Sequence, residues 1–332
     1  MTVVTDGFFN IDKPTGMTSM EVVRQVKRLC SQRHVGHGGT LDPEATGVLP
    51  ICLGQATRLM QFVVDGEKEY LGVIRLGIAT DTYDATGQVT EEREFSHVTL
   101  DSLTKALDSL RGTIQQTPPM YSALKQQGRR LHELARAGIE VARAPRTVEV
   151  SQLDLVHWDS PMVNLSIRCS RGVYIRSLAH DLGQRLGCGA HLAQLRRLRT
   201  GPFHVDQAVT LERLREALQD GSWDSLLYPP DYALLNRGAV VLRVADERQV
   251  LSGQSVALSP RTHYAEHMEM RRAYSADGRF VALVRFNRTL RTWQPFKVFH
   301  LVTTSPYKPA DDNSLPQADQ GSNSLGDGQK PN

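Results

Sequence analysis

Gly36-His37-Gly38-Gly39-Thr40-Leu41-Asp42-Pro43-Glu44-Ala45-Thr46-Gly47-Val48-Leu49-Pro50 is the stretch around which the rest of the chain is organised. Four glycines surround one aspartate, so the backbone can take turns that other residues resist. Pro43 restricts the conformation of Asp42. A carboxylate held in this way, within reach of a ligand, suits nucleophilic or acid–base chemistry. An aspartate in such a turn can equally cap backbone N–H groups, and spacing alone leaves the two readings level. The apolar run from Val48 to Leu53 that follows predicts a short buried strand.

Upstream of this loop, Gly7 to Asp12 reads as a strand. Thr18-Ser19-Met20-Glu21 fits a capping box, with Val22, Val23, Val26 and Leu29 at helical spacing behind it. Downstream, Tyr70 to Leu76 predicts a strand. Leu100, Leu103, Leu107 and Leu110 predict a helix ending near Gly112, and Arg129 to Gly138 predicts a short basic helix. Thr147 to Trp158 and Val163 to Ser170 alternate like paired strands, and Ile175 to Leu186 reads as a helix closed by Gly187. Strands and helices are interspersed, so the body, residues 1–230, is expected to be α+β. Gly221 to Pro230 reads as a linker. Residues 231–304, with an Asp277-Gly278 hairpin turn, read as a small β-rich domain. Residues 305–332 carry almost no apolar side chains and are expected to be a disordered tail.

Of the 332 residues, 40% are hydrophobic and 23% charged, an ordinary globular balance. The formal net charge of +3 permits a nucleic-acid partner but does not by itself identify one. Cys30, Cys52, Cys169 and Cys188 have neither C-x-x-C nor zinc-site spacing; they read as free thiols of a cytoplasmic protein with no metal. The first ten residues lack a signal-peptide pattern, and no apolar run is long enough to cross a bilayer.

From Gly36 to Pro50 the chain resembles, throughout, the catalytic motif G-H-x-G-T-L-D-P-x-A-T-G-V-L-P of the TruB family of tRNA pseudouridine-55 synthases. Asp12-Lys13-Pro14-Thr15-Gly16-Met17-Thr18-Ser19, Lys68-Glu69-Tyr70, Arg171-Gly172-Val173-Tyr174-Ile175-Arg176-Ser177-Leu178 and His191-Leu192-Ala193-Gln194-Leu195-Arg196-Arg197 are similar to further motifs of that family, in its order. The resemblance covers residues 7 to about 215. It implies a body with a central, largely antiparallel sheet and a small RNA-binding, PUA-like C-terminal domain, which the region from Thr262 to Met270 departs from. It further implies that Asp42 is the catalytic carboxylate and Arg176 its partner. Tyr70 would pack on the target base, Tyr174 line the pocket, Leu195 lie near the base, and His37 help hold the nucleotide out of its stack. Lys13, Arg58 and Arg146 are candidate RNA contacts.

The implied reaction breaks the N-glycosidic bond of a uridine, turns the uracil and rejoins it through C5. Unstacking the nucleotide costs a few kcal/mol, and an aromatic face such as Tyr70 returns about 1–3 kcal/mol by stacking. Its hydroxyl also suits removal of the C5 proton. Asp42 has to be ionised, and a guanidinium beside it favours that form. Attack at C1′, attack at C6 and formation of a glycal are all open. No step calls for a cofactor. Arg168, Arg171, Arg176, Arg185, Arg196, Arg197 and Arg199 form one basic stretch and Lys125, Arg129, Arg130, Arg136, Arg143 and Arg146 another. Both are read as phosphate contacts for the T arm of tRNA, with affinity that falls steeply with salt. The expected protein is a stand-alone monomer with no obligatory protein partner. The rival readings are a guide-RNA-dependent synthase, an RNA chaperone, and a glycosidase using Asp42 and Glu44 as two carboxyls.

Overall fold

The computed structural model describes residues 5–122, 124–126, 128–139, 141–258 and 265–309. Contacts divide the chain into two units, Met1–Asn236 and Arg237–Asn332.

The first unit is built on a ten-stranded sheet. Its main path runs Leu227–Tyr228, Gly7–Lys13, Thr46–Leu53, Ala190–Thr200, Lys68–Leu76, Met162–Cys169, Arg146–Asp159 and Gly112–Gln116. Val35–His37 pairs with Thr46–Leu53, and Phe203–His204 with Ala190–Thr200. Every pairing among the described residues of this sheet is antiparallel except Thr46–Leu53 with Ala190–Thr200. The largely antiparallel sheet is therefore present. Along Lys68–Leu76 alternate residues are buried, as a period of two requires.

The helix Ser19–Leu29 starts with the expected capping box between Thr18 and Glu21. It buries Val22, Val23 and Val26, each at most 4% exposed and worth about 1.5–3 kcal/mol of burial. The helix Ile175–Leu186 ends on Gly187 at φ +72, a left-handed cap that glycine takes without strain. Both helices and one face of the sheet share a single core.

One glycine is fixed by a close approach. Gly47 lies at φ +100 where the parallel neighbour passes, in register with Arg197. A Cβ there would meet the Arg197 carbonyl oxygen at 2.1 Å. Gly47→Ala is therefore expected to lower stability by at least about 2 kcal/mol, read as a fall in the urea midpoint. An unchanged midpoint would mean that the two strands separate freely here.

Several local expectations change. The helix over Leu100 ends at Asp108, and Gly112 opens the strand Gly112–Gln116 instead of closing the helix. In the basic segment only Leu131–Arg136 is helical, while Arg129-Arg130 pairs with Lys125-Gln126. Gly36 and His37 belong to a strand, not a loop. The stretch Gly221 to Pro230, expected as a linker, is packed onto the body. Phe8 pairs with Tyr228, whose ring lies 5.7 Å from Phe203 and 4.4 Å from Tyr232. Its Gly and Pro content reads as a linker, but two aromatic rings with neighbours to bury against outweigh backbone composition.

The second unit holds a four-stranded sheet in the order Ala239–Val241, Met270–Tyr274, Phe280–Asn287, Thr292–Val298. Gly278, at φ +96, makes the expected turn between the second and third strands. An unexpected helix, Val244–Leu251, has only Val250 fully buried, too little apolar periodicity to be legible in sequence. Of the expected tail, Ser305 is buried and its N–H donates to the Gly278 carbonyl at 2.9 Å. Residues 310–332 lie outside the described residues, as do 262–264 of the departing region.

Candidate active site

The loop that carries Asp42 is held from three directions. Ser19, buried at the start of its helix, accepts the Leu41 N–H at 2.8 Å and donates its hydroxyl to the Leu41 carbonyl at 2.9 Å. The Lys13 ammonium donates to the carbonyls of Pro14, Met17 and Pro43 at 2.8, 2.6 and 2.8 Å. Arg197, 1% exposed, donates to the carbonyls of Val48, Thr40 and Gly39 at 2.7, 3.3 and 3.0 Å. The three clamps supply donors to the loop carbonyls of Gly39, Thr40, Leu41 and Pro43 and to the Val48 carbonyl of the strand that follows, as buried backbone requires.

Asp42 faces Arg176 in a two-point pair. Nε lies 2.9 Å from Oδ2 and Nη2 lies 3.2 Å from Oδ1. Arg176 is 6% exposed and projects from the first turn of Ile175–Leu186. Its other donors reach the Tyr121 carbonyl at 2.8 Å, the Thr82 carbonyl at 3.3 Å and the Asp84 carboxylate at 3.4 Å. Asp84 is fixed in turn, accepting from Thr82 Oγ1 at 2.7 Å and from the Thr86 N–H at 3.0 Å. The guanidinium is thus locked, while the Asp42 side chain keeps 41% of its surface open. One flank of the carboxylate is committed to Arg176 and the other is free for a ligand.

Protein crowding pushes the Asp42 carboxyl above its ordinary range; Arg176 pulls it back, Asp84 adds to the rise, and Lys13 opposes it. A raised carboxyl loses its charge at a higher pH than an ordinary aspartate. If the ionised form reacts, kcat should fall as pH drops, with an acid limb displaced above the ordinary carboxylate value. A limb at or below that value would contradict the ionised role. Asp42→Glu should move the limb, since the longer arm alters contact with Arg176.

The remaining candidates surround this pair to different degrees. Tyr70, 8% exposed, lies on Lys68–Leu76 opposite Arg197. Burial pushes its phenol up to about 12, opposed by the Arg197 charge and hydrogen bond, and Asp42 acts on it as well. At neutral pH Tyr70 is therefore a neutral phenol. Tyr174 caps the helix that bears Arg176; Gln116 accepts its N–H at 2.8 Å and donates to its carbonyl at 3.1 Å. Burial raises its phenol, against a hydrogen bond to Ser122 and the charges of Arg176 and Arg146. His37 ends Val35–His37, half-buried, and burial with the nearby Arg197 cation lowers its imidazole, keeping it neutral. Leu195, half-buried, packs on the main core. Arg146 is exposed at the start of Arg146–Asp159, and Arg58 is exposed on the turn Gly54–Leu59.

Two sequence expectations are corrected here. Lys13, taken as an RNA contact, is 0% exposed and gives its three ammonium protons to carbonyls. Burial lowers its pKa to about 8. It holds the loop rather than reaching a ligand. The basic stretch from Arg168 to Arg199 is mostly neutralised within the protein. Arg168 and Arg199 pair with Glu69 at 2.9 Å each, Arg171 with Asp65 at 2.6 Å and Arg196 with Asp12 at 2.8 Å. Arg176 and Arg197 are occupied as above. Sequence reasoning also passed over Asp84, Ser19 and the role of Arg197. Thr82, Asp84 and Thr86 carried a readable Asx-turn pattern, but nothing in spacing shows that it meets Arg176.

Most of the chain matches known proteins of one family. Residues 27–175 match the family model of the TruB family pseudouridylate synthase N-terminal domain, and residues 176–235 that of the tRNA pseudouridylate synthase B C-terminal domain. The chain is similar to the tRNA pseudouridine synthase B of Dehalococcoides mccartyi, 42% identical over 92% of this chain and all of that protein. It is also similar to those of Yersinia enterocolitica (47%, covering 76% and 79%) and Pseudomonas aeruginosa (43%, covering 83% and 90%). Among solved structures, an H/ACA RNP bound to a substrate RNA containing 2′-deoxyuridine shares the fold, with TM-score 0.68 at 24% identity over 90% of this chain and 86% of that one. A protein from an archaeal box H/ACA sRNP complex matches with TM-score 0.67 at 25% identity over 93% of this chain and 89% of that one. The extent of these matches shows that the chain belongs to the TruB family of pseudouridylate synthases, enzymes of the isomerase class.

Proposed function

We propose that the protein is a stand-alone synthase that isomerises uridine-55 in the T loop of tRNA, with Asp42 as its catalytic carboxylate. The observation that carries this is the two-point Asp42–Arg176 pair in which the guanidinium is buried and the carboxylate remains open. The target uridine is flipped from its stack, at a cost of a few kcal/mol. Asp42, kept ionised by Arg176, assists cleavage of the glycosidic bond. Tyr70 and Tyr174 bound the space for the uracil, Leu195 supplies an apolar wall, and His37, neutral, fills the gap left in the RNA. Relatives named tRNA pseudouridine synthase B support tRNA as the substrate, and the exposed Arg58 and Arg146 suit its phosphates. A synthase that flips a base out of a folded T loop would also suit RNA chaperone work, since a flipped T loop is a partly unfolded one.

Tyr70→Phe keeps the ring and removes the hydroxyl. A loss of about 10²-fold in single-turnover rate is expected if that hydroxyl carries the C5 proton; a loss below threefold would leave only stacking. The proposal as a whole is tested with purified protein and an unmodified tRNA transcript, without guide RNA, mapping pseudouridine by position. Conversion confined to uridine-55 supports it. Conversion that needs a guide RNA, or release of free uracil, rejects it.

A further inference from the structure

We infer that a basic furrow along the exposed face of the helix Ser19–Leu29 binds the sugar–phosphate backbone of the RNA substrate, next to the active site but separate from it. The furrow is lined by Arg24, Lys27, Arg28, Gln32 and Arg33, and it continues past Gly16 and Met17. Its far end abuts the catalytic loop, because Lys13 ties Met17 to Pro43 and Thr15 donates to the Glu44 carboxylate at 3.0 Å. Arg24, Lys27 and Arg28 lie three and four residues apart, so they form one stripe opposite the buried Val22, Val23 and Val26.

What distinguishes this stripe is that no carboxylate forms a direct ion pair with it, although Glu21 lines the same furrow and feels the charge of Arg24. Arg168, Arg171, Arg176, Arg196 and Arg199 each pair with a carboxylate. Arg24, Lys27, Arg28 and Arg33 are exposed, and among the described residues none forms an ion pair or donates a side-chain hydrogen bond. The acid nearest in sequence, Glu21, is engaged by the hydroxyl and N–H of Thr18, both at 2.7 Å, in the capping box. Lys27 and Arg28 sit in the last helical turn, where cations complement the helix dipole. That accounts for neither Arg24 in mid-helix nor Arg33 beyond its end. Four cations left in water on one face, in a chain of net charge only +3, raise the local positive potential where a polyanion passes. Guanidinium forks suit phosphate oxygens.

The inference rests on the reading of the protein as an RNA-modifying enzyme. The test measures the dissociation constant for full-length tRNA as a function of salt, for wild type, R24E/R28E and R24K/R28K. R24E/R28E should weaken binding about tenfold near 0.1 M salt and flatten the slope of log K against log salt by about 1.4–1.8, for two lost phosphate contacts. R24K/R28K should stay within about threefold of wild type, which separates charge from packing. The single-turnover rate at saturating enzyme should be unchanged, because none of these residues touches the reacting uridine. Equal affinities and slopes for wild type and R24E/R28E, with wild type still converting tRNA, overturn the furrow and leave the enzymatic reading intact. A wild type that neither binds nor converts tRNA overturns both.

Discussion

Asp42→Asn is expected to cut pseudouridine formation by at least about 10⁴-fold while tRNA binding stays within a few-fold of wild type. The magnitude is that of removing a reacting carboxylate or nucleophile whose partners remain in place. Asparagine keeps the size of the side chain and still offers one carbonyl oxygen to Arg176, so the loop clamps at Leu41 and Pro43 are undisturbed. Stability should change little. The carboxyl is raised in the folded protein, so folding takes up protons here, and the ionised form subtracts from stability as pH rises through that value. The amide removes this cost and gives up the attraction of Arg176; the two changes oppose each other. The measurement is single-turnover conversion of a T-loop uridine with a parallel filter-binding titration. A mutant that still converts at a tenth of the wild-type rate would move the chemistry to another group.

Arg176→Ala is expected to be damaging in a different way. Among the described residues, Arg176 alone touches Asp42, Asp84 and the carbonyls of Thr82 and Tyr121 together. Its removal leaves two carboxylates facing each other and two carbonyls without their donor. Breaking a buried pair by deleting one partner costs about 3–5 kcal/mol; the lower end applies, since Asp42 keeps 41% of its side chain in solvent. Asp42 would also titrate higher without its cation, so the acid limb of the rate profile should move towards neutrality. Arg176→Lys separates the effects. One ammonium can hold Asp42 or Asp84 but cannot bridge both with a planar fork, so stability should recover more than activity. Equal recovery of both would make Arg176 a structural residue only.

Much of the working centre was readable in the chain. The run from Gly36 to Pro50 carries its own conformational information, because glycine and proline act on the backbone locally. The capping box at Thr18 and the helix end at Gly187 are local in the same sense and stand where the residues placed them, and the strand expected from Tyr70 to Leu76 is present, starting two residues earlier at Lys68. What failed to be legible shares one property: it depends on partners distant in sequence. Lys13 looked like a surface cation, yet three carbonyls, one of them thirty residues away, draw it inside. The arginines from Arg168 to Arg199 looked like a phosphate-binding run. Their carboxylates come from Asp12, Asp42, Asp65, Glu67 and Glu69 on other elements.

By itself, then, the sequence determined the glycine-rich turn around Asp42, the main helices and strands and the α+β class, because turn chemistry, capping and periodicity act within a few residues; Asp42 was singled out as a candidate carboxylate by the family resemblance. Only the tertiary structure decided which cations are neutralised and which remain to meet a ligand. It also decided that Asp84 joins Arg176, and that Gly47 is needed where the Arg197 backbone crosses. The physical reason is that charge and packing are settled by neighbours in space, and a folded sheet brings together residues that no spacing along the chain can match.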